Sequence, residues 1–134
     1  MMESDDFLGT TPIILDDKGR FNVPSRIKSI LDRKYNSNLI ICVKENYLII
    51  SPQNEWIESK KDWEKLNTFD DDDGKRKKMR KVLSRASECQ MKSGKILIPA
   101  NQRKDAGLVK EAVLVGMSNT FEIWSKEQWE KESG

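Results

Sequence analysis

The residues best suited to chemistry lie in the short tract Asp16–Arg20, which reads Asp-Asp-Lys-Gly-Arg. Asp-Asp-Lys-Gly is typical of a turn, because glycine accepts a tight bend and Asp16 can pair with Arg20 or with backbone N–H groups. A guanidinium held at the mouth of a strand can bind guanine in the major groove, or a phosphate, through two parallel hydrogen bonds. Taken alone, the Asp-x-x-x-Arg spacing favours the simpler interpretation, a structural ion pair.

Composition excludes several other kinds of site. The 134 residues include no His and two Cys, so the chain lacks a Ser-His or Cys-His nucleophile pair and the four ligands of a structural zinc site. It has no Gly-x-Gly-x-x-Gly tract and no P-loop, because Gly74-Lys75 and Gly94-Lys95 lack both the following Ser/Thr and the earlier Gly. We therefore expect no enzyme, no cofactor, no metal and no small-molecule substrate.

The first residues are acidic and the longest apolar runs are far shorter than a membrane span. We therefore expect a cytoplasmic protein with no membrane partner.

Charge is divided unevenly along the chain. Residues 1–73 hold 10 basic and 15 acidic side chains, net −5, whereas residues 74–134 hold 14 and 7, net +7. Between Gly74 and Lys104, 11 Lys/Arg face one acid, Glu88. Such a tract is the usual footprint of a polyanionic partner. A solvated helix face, neutralised by the acidic run Asp70–Asp73, is the equally favoured alternative.

Internal similarity indicates a duplicated unit. Aligning Gly19 with Gly94 makes Gly-Arg-Phe-Asn-Val-Pro reappear as Gly-Lys-Ile-Leu-Ile-Pro. The offset between the copies falls from 75 residues in the first matches to 73 in the later ones, so one loop differs by two residues between the copies. The later matches are Asn46, Leu48, Ile50 and Trp56 with Asn119, Phe121, Ile123 and Trp129.

Each copy is predicted to contain a short strand that ends at a proline, a short helix, a hairpin and a closing helix. Ile27, Ile30 and Leu31 form one apolar face of the first helix. The first closing helix is predicted to begin at Ser51-Pro52 and the second at Ser125, each serine capping its helix. The predicted hairpin strands are 39–43 with 47–51 and 112–116 with 120–124, with Asn46 and Asn119 at positive φ.

The segment between the copies is predicted as a loop and a basic helix. Residues 69–74 include four consecutive Asp, whose mutual repulsion disfavours packing. Residues 75–85 are predicted as a helix with seven basic groups outward. Its predicted inward residues are Met79, Val82 and Leu83. Trp56, Trp63 and Leu66 are predicted to form an apolar stripe on the preceding helix, as core or subunit contact.

One copy alone would have exposed strand edges and too little apolar area for stability. We therefore expect the two copies to interleave their strands around a pseudo-twofold axis into one small barrel, which would close those edges.

Beyond these patterns, the sequence resembles the MraZ family, bacterial regulators of the division and cell wall gene cluster within the AbrB swapped-hairpin superfamily. The resemblance covers residues 7–130. Its most specific tract is Ala-Ser-Glu-Cys-Gln-Met at residues 86–91. The other matching tracts are Phe7-x-Gly9, Leu15-Asp16-x-Lys18-Gly19-Arg20-x-x-Val23-Pro24, Ala106-Gly107-Leu108, Leu114-Val115-Gly116 and Phe121-Glu122-x-Trp124.

With this resemblance the predicted fold is α+β: two AbrB-like swapped-hairpin repeats form one pseudo-twofold β-barrel with short flanking helices. The predicted boundaries are 7–54 for the first repeat, 55–82 for the connector, 83–127 for the second repeat and 128–134 for the end of the C-terminal helix and tail.

The resemblance implies a sequence-specific DNA-binding protein that represses its own operon by binding G-containing direct repeats in the promoter. It also implies a ring-like homo-oligomer associated with the nucleoid. The family's DNA-contacting signature is the Asp-x-x-x-Arg element, which the second copy lacks. There the chain reads Lys92-Ser93-Gly94-Lys95, one residue shorter, with no Asp and with Lys in place of Arg.

Lysine keeps the positive charge but not the planar fork of arginine. We therefore expect Arg20 to read bases, and Lys92 and Lys95 to hold phosphates. The full set of expected DNA-binding residues is Asp16, Lys18, Gly19, Arg20, Arg26, Lys92, Lys95 and Arg103.

Two rival classes stay open. One is a non-enzymatic scaffold whose acidic and basic faces bind proteins, which low-salt elution from heparin or DNA-cellulose would favour. The other is an AbrB-like antitoxin or transition-state regulator. Antitoxins of this fold usually carry one copy and a disordered toxin-binding tail, whereas we expect little room for such a tail here, because Gly134 follows soon after the second copy.

Overall fold

The computed structural model describes residues 5–66 and 73–133, with side chains except those of residues 62–66 and 73. The order strand, strand, helix, strand, strand, helix occurs twice. The first copy comprises β1 (Thr10–Ile14), β2 (Arg20–Asn22), α1 (Ser25–Lys34), β3 (Asn38–Lys44), β4 (Tyr47–Pro52) and α2 (Gln53–Leu66). The connecting helix is α3 (Asp73–Leu83), and the second copy comprises β5 (Ser87–Gln90), β6 (Lys95–Leu97), α4 (Ala100–Asp105), β7 (Glu111–Met117), β8 (Thr120–Ser125) and α5 (Lys126–Ser133).

The two copies exchange their first strands. The main sheet has six antiparallel strands in the order β1-β7-β8-β4-β3-β5, and β2 pairs with β6 in a separate ribbon. Thus β1 of the first copy bonds to β7 of the second, and β5 of the second copy bonds to β3 of the first. The predicted interleaving of the copies is confirmed.

The strand registers reveal a pseudo-twofold axis. Where β4 meets β8, Ile49 lies opposite Glu122, its equivalent 73 residues later. In the ribbon, Phe21 lies opposite Ile96, its equivalent 75 residues later. Equivalent residues face each other only at an axis of symmetry, so the axis passes through both pairs.

The α+β class is confirmed, but the strands do not close into a barrel, which corrects that part of the prediction. Strands β1 and β5 lie at opposite ends of the main sheet. The chain bends sharply after each of them, so β2 and β6 leave the main sheet and pair only with one another. Apolar side chains of α1, together with those of this ribbon, fill the side that a closed barrel would seal with strands.

The main core lies between the six-stranded sheet and the layer formed by β2, β6, α1 and α4. Phe7, Phe21 and Phe121 are among its fully buried side chains. The predicted apolar face of α1 is confirmed, because Ile27, Ile30 and Leu31 are all buried.

A second, smaller cluster lies on the opposite face of the sheet. Tyr47 stacks on Trp124 with ring centroids 4.2 Å apart, and Trp129 of α5 meets Trp124 edge-on at 5.6 Å. Val113 and Val115 complete the cluster. Trp129, which aligns with Trp56 of the predicted aromatic stripe, is therefore a packing residue.

Two predicted turn residues are wrong by one position. Positive φ occurs at Glu45 (53°) and Ser118 (69°), whereas Asn46 and Asn119 are not among the residues with positive φ. The first of the two turn residues takes the strained conformation in both hairpins. Gly107, which follows α4, has φ of 65°, the left-handed conformation common at the end of a helix.

The closing helices begin close to their predicted starts. The backbone N–H of Gln128 donates to Ser125 Oγ (3.1 Å), which confirms the cap of α5. Helix α2 begins at Gln53, so Pro52 is the last residue of β4 rather than the first of the helix. Trp56 is half-buried, whereas the side chains of Trp63 and Leu66 lie outside the described residues.

The connector is only partly as predicted. Asp73 and Gly74 belong to α3 rather than to a loop, and residues 67–72 of the predicted loop lie outside the described residues. On α3, Met79 and Val82 are half-buried, but Leu83 is 41% exposed, so it is not an inward residue. The repeat boundaries at 54, 82 and 127 stay a prediction.

None of the helices in the described ranges combines the length and the apolar content needed to cross a membrane.

The exchanged N-terminal segment depends on a close backbone contact at Gly116. The N–H of Phe7 donates to the carbonyl of Ser118 (2.7 Å), and the N–H of Gly116 donates to the carbonyl of Gly9 (2.8 Å). A Cβ on Gly116 would collide with the backbone of Phe7 and Leu8.

We expect Gly116→Ala to lower the free energy of unfolding by about 2–3 kcal/mol, because backbone atoms cannot move aside as a flexible side chain can. Urea denaturation measures this. Gly107→Ala is the control, because a Cβ there meets nothing within 4 Å and only its φ of 65° is unfavourable; its expected cost is about 1 kcal/mol. A Gly116→Ala variant as stable as Gly107→Ala would contradict the steric argument.

Candidate nucleic-acid interface

The first candidate site is the turn between β1 and β2, residues Asp16–Arg20, here called turn 1. Asp16 Oδ1 accepts hydrogen bonds from the backbone N–H of Lys18 (3.0 Å) and of Arg20 (2.9 Å). Its Oδ2 accepts from Arg20 Nε (2.9 Å). Gly19 has φ of 90°, which closes the turn at a residue without a Cβ. The carboxylate therefore holds both the backbone of the turn and the guanidinium at its end.

The Asp16 carboxylate is strongly stabilised in its charged form. The backbone N–H of Arg20 lowers its pKa most, and the Arg20 guanidinium and the Lys18 N–H add to the effect, so that the pKa is about 2 instead of 3.8. Asp16 is thus ionised throughout the neutral range. Because Nε is the atom that Asp16 binds, both terminal nitrogens of Arg20 stay available to a ligand, and no described residue occupies them.

The second candidate site, turn 2, is residues Lys92–Lys95 between β5 and β6. Lys92 and Lys95 exchange backbone hydrogen bonds of 2.9 Å, and Ser93 and Gly94 between them have φ of 52° and 73°. Positive φ at both central residues is the pattern of a two-residue hairpin turn. The structure thus confirms that turn 2 is one residue shorter than turn 1. It presents two lysines, whose ammonium groups bind no described residue.

The two turns lie at opposite ends of the β2–β6 ribbon, because each precedes its strand and the strands are antiparallel. The ribbon has three residue pairs, about 10 Å at 3.4 Å per residue. Equivalent bonds join each turn to the other copy: Ile98 N–H donates to the Gly19 carbonyl and Val23 N–H to the Gly94 carbonyl, both at 2.9 Å.

The predicted site residues fall into two groups and one outlier. Asp16, Lys18, Gly19 and Arg20 form turn 1, and Arg103 of α4 lies directly over Gly19. Lys92 and Lys95 form turn 2. Arg26 belongs to neither group, because its Nη2 donates to the carbonyl of Asp6 (3.1 Å) in the N-terminal segment.

Sequence reasoning missed Lys28. Its Cε would lie 3.5 Å from a Cβ on Gly94, so it borders turn 2 as Arg103 borders turn 1. The 75-residue offset that aligns Gly19 with Gly94 also aligns Lys28 with Arg103. That alignment is the signal that could have found it.

The strand exchange and the paired turns define the class of the protein: a duplicated swapped-hairpin α+β protein of the AbrB type, which presents a cationic turn at each end of a short ribbon.

Comparison with known proteins agrees with this class. Residues 82–133 match the family described as "MraZ protein, putative antitoxin-like". The Transcriptional regulator MraZ of Photorhabdus laumondii is 36% identical over 126 residues, which span 92% of this chain and 82% of that protein. The protein of the same name from Shewanella violacea is 36% identical over 129 residues, 94% of this chain and 84% of that protein. That from Serratia proteamaculans is 35% identical over 126 residues, 92% and 82%. The chain belongs to the MraZ family.

The low pKa of Asp16 gives turn 1 a defined pH response. Since the folded-state pKa is about 2 and the ordinary value is 3.8, the contribution of Asp16 to stability is complete above about pH 4 and is lost as the pH falls toward 2. We expect the wild-type protein to be more stable than Asp16→Asn at pH 7, and this difference to shrink between about pH 4 and pH 2.

Unfolding free energies of the two proteins across this pH range measure the effect. Asp17→Asn is the control for the loss of one negative charge, because the Asp17 carboxylate is exposed and binds no described residue. A difference between wild type and Asp16→Asn that does not change with pH would show that Asp16 does not hold the turn as an anion.

Proposed function

We propose that the protein is a sequence-specific DNA-binding regulator of transcription that represses its own division and cell wall gene cluster. The observation that carries the proposal is Arg20, whose guanidinium is held through Nε by Asp16 while neither terminal nitrogen has a partner among the described residues. Two nitrogens of one rigid plane match the O6 and N7 acceptors of guanine. The relatives named as transcriptional regulators support the same function.

Within this function, the two turns differ in task. Turn 1 reads a guanine through Arg20, and turn 2 holds the DNA backbone through Lys92 and Lys95. The support is geometric, because Asp16 orients Arg20 at 2.9 Å while no described carboxylate binds Lys95. An oriented fork distinguishes bases, whereas a mobile ammonium group contributes charge without direction.

Several protomers act together in a ring-like homo-oligomer on G-containing direct repeats. One turn with a few phosphate contacts binds at roughly micromolar strength or worse at physiological salt. Tethered copies that reach successive repeats gain about 10²- to 10⁴-fold in avidity. Cytoplasmic location and association with the nucleoid belong to the same proposal.

Selection of bound duplexes from random DNA with the purified protein tests the function, and the duplexes it recovers allow the two turns to be separated. We expect Arg20→Ala to lose about 10- to 100-fold of the preference for selected over scrambled DNA, because one bidentate guanine contact is removed. We expect Lys95→Ala to weaken binding to both duplexes equally and to lower the salt slope of the affinity by about one.

Each variant serves as the control for the other, because each removes one cation from an equivalent position in its copy. Equal loss of sequence preference in both variants would contradict the division of tasks. Recovery of no common sequence from the random pool would contradict sequence-specific binding itself.

Repeat spacing gives an independent test of the ring. Lengthening the DNA between two repeats by half a helical turn, about 5 bp, turns the second repeat to the opposite side of the duplex. We expect this to remove the avidity gain and leave single-repeat affinity, as measured by fluorescence anisotropy. A duplex lengthened by a full turn, about 10 bp, is the control. Unchanged affinity at half a turn would exclude simultaneous binding by tethered copies.

A further inference from the structure

Each turn is bordered by a helix of the other copy. Arg103 of α4, in the second copy, lies over Gly19 of turn 1, and Lys28 of α1, in the first copy, lies beside Gly94 of turn 2. The crossing follows from the pairing of β2 with β6, which brings the start of each helix to the far end of the ribbon. Each end of the ribbon is therefore built from both copies.

Arg103 is held by one hydrogen bond and lies close against Gly19. Its Nε donates to the carbonyl of Ile98 (2.9 Å). A Cβ on Gly19 would lie 2.7 Å from Arg103 Cζ and 2.9 Å from Cδ, so the guanidinium occupies the space that a side chain at residue 19 would need. Two features therefore favour glycine at residue 19: its φ of 90°, and the close approach of the Arg103 side chain.

Turn 1 consequently carries two guanidinium groups that are held in the same way. Arg20 is anchored through Nε to Asp16, and Arg103 is anchored through Nε to Ile98. Among the described residues, neither arginine has a partner at its terminal nitrogens. Two fixed forks with four free amino groups form a site for a ligand with several acceptor oxygens close together, such as a base edge beside a phosphate.

The end of the ribbon that carries turn 2 has no pair of anchored arginines. Lys28 replaces Arg103, and its ammonium group binds Asp32 at 3.0 Å. The position equivalent to Asp32 in the second copy is Gly107, so Arg103 has no carboxylate one turn along its helix. With Lys95 in place of Arg20 and no Asp in turn 2, this end offers charge without fixed direction.

We propose that Arg103 completes the DNA site of turn 1 by binding the phosphate next to the guanine that Arg20 reads. This rests on the proposed function. Arg103 positions the protein on the duplex and does not read a base, because phosphate contacts fix register and orientation while base contacts carry sequence information. The two-arginine end and the lysine end are then unequal, and each protomer meets the duplex in one direction.

The test uses the full-length protein, duplexes selected by the wild type and a scrambled duplex. We expect Arg103→Gln to weaken binding to both about tenfold, since one charge-assisted contact is lost. The slope of affinity against salt concentration falls by about one, and the ratio of selected to scrambled affinity is unchanged. We expect Arg103→Lys to show the wild-type dependence of affinity on salt concentration, because lysine keeps the positive charge.

Lys104→Gln is the matched control, because Lys104 is the exposed neighbour on α4 and its ammonium group forms no hydrogen bond or ion pair with the described residues of either turn. An NMR titration of Asp16 in each variant reports whether turn 1 is intact, since loss of the Arg20 contacts raises its pKa toward 3.8. If Arg103→Gln binds DNA with the affinity and slope of Lys104→Gln, the inference is wrong. If binding falls only together with a raised Asp16 pKa, Arg103 supports the turn and does not contact DNA, which also overturns it.

Interference footprinting on the wild-type protein needs no variant to fold. We expect ethylation of the phosphate adjacent to the guanine that methylation interference identifies to block binding. A phosphate insensitive to ethylation there would overturn the inference while leaving the guanine contact standing. Recovery of no common sequence from random DNA by the wild type would overturn the proposed function and the inference together.

Discussion

The exchange of first strands between the copies is the constraint on which the rest of the structure depends. The backbone of β1 forms its hydrogen bonds with β7, and the backbone of β5 forms its own with β3. Each copy therefore has a sheet edge that only the other copy covers. Unpaired backbone groups in a buried strand cost free energy comparable to the hydrogen bonds they lose. The copies must therefore fold as one unit. The same exchange makes β2 and β6 neighbours, sends the turns to opposite ends of the ribbon and places each helix start beside the turn of the other copy.

Within this symmetric frame, a one-residue difference changes the chemistry of the turns. Turn 1 has three residues between Asp16 and Arg20, which leaves room for a carboxylate to accept two backbone N–H groups and still meet the guanidinium. Turn 2 has two residues between Lys92 and Lys95, and both of them take positive φ. Its hairpin closes through backbone bonds alone and needs no side-chain anchor. The copies thus keep the same backbone frame while only one of them holds its cation rigidly. The turns differ more in how firmly their cation is oriented than in charge, because each turn presents a positively charged side chain at its end.

The sequence predicts the repeat through its internal similarity, and it predicts the core face of α1, the hairpin strands and turn 1 because each of these depends on neighbours within a few residues. Periodicity places Ile27, Ile30 and Leu31, and turn composition identifies Asp16 with Gly19 and Arg20. It does not predict whether the sheet closes, since closure depends on where β2 and β6 leave the main sheet. Nor does it assign positive φ to Glu45 rather than Asn46, because the hairpin type and not the residue's preference decides that position. Lys28 was missed because its neighbour, Gly94, lies 66 positions away in the chain and meets it only through the strand exchange.

Under the proposed function, the difference between the two ends of the ribbon determines which arrangement of DNA half-sites fits this chain. An exact twofold dimer presents identical surfaces in opposite directions, and its operators are palindromic for that reason. Here the axis through Phe21 and Ile96 relates an arginine turn to a lysine turn, so rotation about it does not reproduce the binding surface. If DNA binds at the ribbon ends as proposed, a palindrome would leave one of its half-sites against the lysines, which lack the planar fork of arginine. Under the proposed function, a direct repeat would instead give each protomer one oriented half-site. Duplication within one chain allows this divergence, because a substitution in one copy leaves the other unchanged, whereas in a homodimer it alters both half-sites at once.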